Sequence, residues 1–118
     1  MNSLTPNFKR SEFACKCGCG FDTIDARTLE VLQAVREHFA VPVVVTSAAR
    51  CPDHNRAVGG ARNSQHVYGR AADIQVRDVE PAAVFDWIAQ QYPAASLGHY
   101  ATFTHVDTRT SGPARWGR

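Results

Sequence analysis

The stretch Asn63–Val76, "NSQHVYGRAADIQV", places a histidine and an aspartate, His66 and Asp73, on either side of Gly69, Ala71 and Ala72. Its second half, "AADIQV", has the composition of a short buried strand. Two readings compete for the pair. In one, a turn enters a strand, His66 lies on the surface and Asp73 caps the turn. In the other, both side chains reach one metal ion, and the small residues let the backbone bend far enough for that.

The segments around this stretch set the fold class. Upstream, "VPVVVTS" (41–47) is a β-branched run suited to a buried strand, and "RCPDHNRAVGGA" (50–61) is a proline-started turn or short helix stopped by Gly59-Gly60. Earlier still, Thr23–Asp25 reads as a helix start, after which Leu29, Leu32, Val35 and Phe39 recur at helical spacing. Downstream, "EPAAVFDWIAQQY" (80–92) begins a helix at Pro81, with Val84, Phe85 and Ile88 as its packing face. "SLGHYATFTHVDTR" (96–109) alternates enough for one or two strands, and "SGPARW" (111–116) is a loop whose aromatic docks back. Helices and strands mix without regular βαβ alternation, which predicts an α+β fold rather than a doubly wound sheet. With 118 residues and no linker, repeat or low-complexity tract, the expectation is one domain spanning 1–118, and a monomer.

Composition narrows the function classes. Thirteen basic residues nearly balance eleven acidic ones, so charge gives only weak support for an anionic partner. No apolar run reaches membrane-spanning length. The start "MNSLTPNFKRSEF" lacks the apolar segment of a secretory signal, so synthesis in the cytoplasm is expected, with any action on the outside depending on release by another agent.

Of the four cysteines, Cys15, Cys17 and Cys19 alternate in "CKCGCG", and Cys51 is distant in sequence. Alternation puts the three on one side of an extended segment. A metal site, one or two disulfides, and a set of buried thiols all stay open. A zinc-ribbon nucleic-acid binder is disfavoured, because a second C-x-x-C pair and a basic stripe are missing.

A hydrolytic zinc site needs about three protein ligands and an open position. His105, in "FTHVDTR", is the natural third partner for His66 and Asp73: two imidazoles and a carboxylate leave zinc acidic enough to activate water. Of the other histidines, His38 reads as a favourable charge at a helix C-terminus and His54 as a turn residue. Trp87 and Trp116 read as core and docking residues.

The ordered motifs add a resemblance. Ser64, His66, Gly69, Ala71 and Asp73 match the "SxHxxGxAxD" metal motif of the zinc D-Ala-D-Ala carboxypeptidase family, peptidoglycan peptidases of phages and bacteria that share the Hedgehog-domain fold. "TSAARCPDHNRAVGGARNSQH" (46–66) resembles the segment leading into the first histidine, with Arg50, Asn55, Val58, Gly59 and Gly60 in place. "GHYATFTHVDTR" (98–109) resembles the closing segment, and "SEFACKCGCG" (11–20) the opening of a subgroup with this cysteine cluster. The resemblance implies a Hedgehog/DD-peptidase-type fold, a small mostly antiparallel sheet packed with helices. It implies one catalytic zinc held by His66, Asp73 and His105, and hydrolysis of peptidoglycan stem or cross-bridge peptides, as in carboxypeptidases and phage endolysins. Arg50 then binds the substrate's carboxylate or carbonyl oxygen, and Ser64 hydrogen-bonds near the site or shapes the turn. Cys15, Cys17, Cys19 and Cys51 are expected to be structural, as a disulfide or a second, cysteine-bound zinc.

Relatives carry an acid or histidine just before the last histidine ligand, where this chain has Ala101, Thr102, Phe103 and Thr104. Asp107 is the nearest acid. As the catalytic candidate it is either the general base or a partner that fixes the orientation of His105. His99 is a further candidate. The chain also departs from many relatives at Ala48-Ala49, where they have glycine and an aromatic. The rival to an enzyme is a non-catalytic zinc-containing module that binds wall peptides or belongs to a phage assembly.

Overall fold

A computed structural model describes residues 3–118. The chain is α+β. A short hairpin, β1 (Ser3–Thr5) and β2 (Phe8–Lys9), leads into a 3₁₀ turn at Arg10–Phe13. Helix α1 (Ala26–Phe39), strand β3 (Val43–Ser47), the short helix α2 (Pro52–Ala57) and strand β4 (Ala71–Val76) follow. Then come helix α3 (Pro81–Gln91), β5 (Ser96–His99), β6 (Thr104–Asp107) and β7 (Arg115–Trp116).

Five strands form one sheet in the order β3-β4-β6-β5-β7, antiparallel except for the parallel pair β5/β7. One face is apolar. Val43 and Val45 of β3, Ala72, Ile74 and Val76 of β4, Val106 of β6 and Leu97 of β5 join Val31, Leu32 and Val35 of α1 and Val84, Phe85 and Ile88 of α3 in a single core. Period-2 alternation turns the intervening residues, Asp73 and His105 among them, to the opposite face.

The helices begin and end where local chemistry dictates. The Asp25 side chain accepts the Arg27 N–H and caps α1, and Ala40, in the left-handed region at φ 58°, ends it. Helices α2 and α3 both start on a proline. The α1 packing face agrees with the expected spacing, with Leu32 and Val35 fully buried and Leu29 and Phe39 packed at the margin. Phe8 and Phe13 bring the N-terminal arm into the same core. Among the described residues, no helix is long and apolar enough to cross a membrane.

Candidate metal centre

Strand pairing builds the site. Asp73 of β4 lies directly opposite His105 of β6; Ser47 pairs with Asp73 on one side, and Gly98 pairs with His105 on the other. Gly98 in turn pairs with Trp116 of β7. Ser47, Asp73, His105, Gly98 and Trp116 therefore form one row across all five strands.

His66 comes from outside the sheet. It sits in a series of tight turns, with the Val67 N–H on Ser64 O (3.0 Å) and the Gly69 N–H on His66 O (3.2 Å). The Ser64 hydroxyl accepts the His66 backbone N–H at 3.2 Å, which braces the turn. Gly69 makes the bend. Its φ is +69°, and a Cβ there would stand 2.8 Å from the Thr23 methyl group. Ala71 and Ala72, expected to serve the bend, lie instead within β4 and are fully buried.

The three ligand candidates meet. Asp73 Oδ1 is 3.2 Å from His66 Nε2 and 2.9 Å from His105 Nδ1, and the three donor atoms lie within 4.8 Å of one another. The far side of each imidazole is already committed. His66 Nδ1 donates to the Ala48 carbonyl at 2.7 Å, which can only accept, and His105 Nε2 donates to Asp107 Oδ2 at 2.8 Å. In the neutral rings the nitrogens facing inward are then bare lone pairs aimed at a carboxylate oxygen. Three acceptors converging on one point repel unless a cation, a proton or a metal, lies among them. Zinc ligands at about 2.0–2.2 Å in a tetrahedron stand roughly 3.3–3.5 Å apart. The observed spacings are close to this, so the donor set fits zinc with a fourth position left for substrate or water.

Charges alternate along the site. Arg50 Nη2 approaches Asp73 Oδ2 at 3.4 Å, while Arg109 grips Asp107 with Nε on Oδ1 (2.9 Å) and Nη2 on Oδ2 (2.6 Å). The line Arg50–Asp73–His105–Asp107–Arg109 thus runs from cation to cation through two carboxylates. In the metal-free protein, burial pushes the Asp73 carboxyl up, but hydrogen bonds from His105 and His66 and their charge prevail and hold it at about 2. Burial likewise opposes ionisation of Asp107, yet Arg109 and His105 keep it far below the usual carboxylate range. Burial lowers His105, and Asp107 and Asp73 outweigh it, so its net shift is upward.

The row opens into a cleft of about 440 Å³, lined by His66, Asp73, His105, Arg50 and Ser64, by Asn63 and Gln65 from the turns, and by Tyr100, Phe103, Arg109 and Trp116. Tyr100 and Phe103 stack at 4.4 Å, and the Tyr100 hydroxyl accepts the Trp116 Nε1–H at 3.0 Å. Asp107 is absent from this wall. It is fully buried behind His105, and both its oxygens are engaged by His105 and Arg109. His99 does not line the cleft either; its ring lies 6.4 Å from Phe85. Asp73 is the one carboxylate on the wall among the described residues.

Arg50 is only 15% exposed. It donates to Ser47 Oγ (3.0 Å), Asn55 Oδ1 (3.2 Å) and Asp73, which leaves two of its five N–H groups for a ligand in the cleft. Gly60 makes room for this arrangement, since a Cβ there would fall 2.0 Å from Asn55 Oδ1. Arg109 and Trp116 are cleft residues that the sequence reading did not assign to the site, with the guanidinium 5.5 Å over the indole. The spacing of Arg109 two residues after Asp107 was the one available signal.

The Peptidase M15 family model matches residues 6–107. The chain belongs to this family, the zinc D-Ala-D-Ala carboxypeptidase-type peptidases. No curated protein matches it significantly.

Proposed function

We propose that the protein is a zinc peptidase hydrolysing a peptide bond in the stem or cross-bridge peptides of peptidoglycan, of the D-Ala-D-Ala carboxypeptidase or endolysin type. The observation that carries this reading is the convergence of His66 Nε2, His105 Nδ1 and Asp73 Oδ1 on one point of an open cleft, each imidazole anchored through its other nitrogen. Bound there, zinc supplies Lewis acidity, polarising a carbonyl and bringing the pKa of water to about 7.

The chain's own residues orient the substrate. The two free N–H groups of Arg50 form a planar fork beside the metal ligands, suited to a terminal carboxylate or to the oxygen that becomes negative during hydrolysis. The stacked Tyr100 and Phe103 and the indole of Trp116 give the opposite wall an apolar surface for the peptide. Ser64 shapes the turn that carries His66. Asp107 is assigned the orienting role and not the proton-transfer role: it is fully buried, does not line the cleft, and holds His105 in the tautomer that leaves Nδ1 bare.

A second reading rests on a specific observation. Beyond Asp73, no carboxylate lines the cleft among the described residues, and Ala101–Thr104 supply none. Under that reading the domain binds wall peptides without cutting them. Release of free D-alanine or of new amino termini from a purified cell-wall suspension separates the two. The enzyme produces one or the other, stops with chelator and resumes with zinc. Binding to the wall with no new amino or carboxyl termini in the product would favour the module.

A further inference from the structure

A second group of metal-ligating side chains lies outside the cleft. The sulfurs of Cys15, Cys17, Cys19 and Cys51 all lie within 4.8 Å of one another. We propose that these four residues form a closed tetrathiolate zinc site that joins the N-terminal arm to the edge of the active-site cleft.

The spacing argues for a shared centre. Cys15 and Cys17 sulfurs are 3.4 Å apart, Cys17 and Cys51 3.6 Å, and Cys15 and Cys51 3.9 Å. These three make a nearly equilateral triangle. Zinc–sulfur bonds of about 2.3 Å in a tetrahedron give edges of about 3.8 Å, so the triangle has the size of one face, with Cys19 left to supply the fourth apex. Disulfide pairing gives each sulfur one close partner at about 2.05 Å and does not make three sulfurs equidistant. Soft thiolates in a tetrahedral set favour zinc over hard divalent ions such as magnesium or calcium.

The backbone is already arranged for such a site. Gly18 and Gly20, at φ +82° and +95°, fold the segment so that buried Cys15 and exposed Cys17 and Cys19 converge on one another and on Cys51 rather than run along an extended strand. The Cys51 N–H points at Cys15 Sγ and the His54 N–H at Cys51 Sγ, each at 3.4 Å. Backbone donors to sulfur offset the net negative charge that four thiolates leave around a divalent ion. The site matters to the cleft because Cys51 follows Arg50 directly, and the neighbouring Ala49 N–H donates to Phe13 O at 3.0 Å. Zinc here fixes the loop between β3 and α2 from which Arg50 projects.

None of the four cysteines belongs to the His66–Asp73–His105 set, so the two sites are separable. The test uses full-length protein kept reduced and supplied with zinc, and a His66→Ala/His105→Ala variant that leaves only the thiolates. That variant should hold one equivalent of zinc, release it to an organomercurial thiol reagent and, with cobalt(II) in its place, show thiolate-to-metal charge-transfer absorption. Cys17→Ser and Cys51→Ser should lose this equivalent, melt at lower temperature, and raise KM for a stem peptide more than they lower kcat. Should the histidine variant not fold, the wild-type protein gives the same answer: the mercurial should release one of two zinc equivalents. The proposal is overturned if reduced, folded protein binds no zinc that the mercurial can release, if cobalt shows no thiolate bands, or if the cysteine variants keep the metal.

Discussion

Asp73 and His105 face each other as directly paired residues of adjacent antiparallel strands, with Asp73 Oδ1 2.9 Å from His105 Nδ1. Cross-strand partners have their Cβ atoms about 4.5–5.5 Å apart, so two short ligands reach one ion with little backbone distortion. His66 then needs only one loop to complete the set, and its position is fixed by the Ala48 carbonyl and the turn at Gly69. A sheet also resists local shifts better than a loop, which suits a centre that must hold its geometry.

The first prediction separates the two roles open to Asp107. As the residue orienting His105, Asp107→Asn should lower zinc affinity by roughly 10–100-fold, measured by competition with a chelating dye. Asp107→Ala, which leaves the Arg109 charge without its buried partner, should cost about 3–5 kcal/mol of stability in urea melts. A proton-transfer role would instead lower kcat in Asp107→Asn with zinc affinity unchanged.

Arg50 carries the second. Arg50→Lys retains a positive charge and loses the fork. The loss of a charge-assisted hydrogen bond, about 1.5–3 kcal/mol, should lower kcat/KM on a stem peptide by roughly 10–100-fold while zinc stoichiometry holds. Unchanged kcat/KM would place Arg50 outside substrate binding.

Gly98 provides a steric test. The Trp116 indole lies 2.4 Å from where a Cβ on Gly98 would stand. Gly98→Ala should push Trp116 and β7 off the sheet, destabilise by about 1–3 kcal/mol and shift the tryptophan emission. A variant with the wild-type melting temperature and emission would show that the tail does not depend on this contact.

The pH dependence of stability should differ between the metal-free and zinc-loaded protein. Asp73 is depressed from 3.8 to about 2, so its contribution is complete above about 4 and is lost as pH falls through 2. His105 is raised from its ordinary 6.5, so its contribution is complete below 6.5 and is lost as pH rises through the folded value. Metal-free protein should therefore be most stable between about 4 and 6.5. Zinc requires unprotonated ligands, so the added stability it confers should grow as pH rises. Urea melts across a pH series, with chelator and with zinc, test this. A metal-free optimum above pH 7 would contradict the reading.

Much of this arrangement is legible in the sequence, and the parts that are not share one cause. "AADIQV" is β4 to the residue, and Pro52 and Pro81 open α2 and α3, because β-branched runs and helix-start prolines act locally. The strands β1, β2 and β7 are only two or three residues long and exist through pairing rather than propensity, so the parallel docking of Arg115–Trp116 beside β5 leaves no local mark. The same holds within the site. His66, Asp73 and His105 could be nominated from residue type and motif. That Asp107 is covered and does not line the cleft, that Arg109 clamps it and that Trp116 walls the cleft depend on the register of β6 with its neighbours, and on a chain reversal after Asp107 that no short motif encodes.

The most direct test of the central claim is anomalous diffraction at the zinc edge from crystals of the reduced, zinc-loaded protein. The account predicts a peak about 2.0–2.2 Å from His66 Nε2, His105 Nδ1 and an oxygen of Asp73, with His105 Nε2 still on Asp107. No peak at that point in zinc-replete crystals, or a peak bound through His105 Nε2 instead, would contradict it.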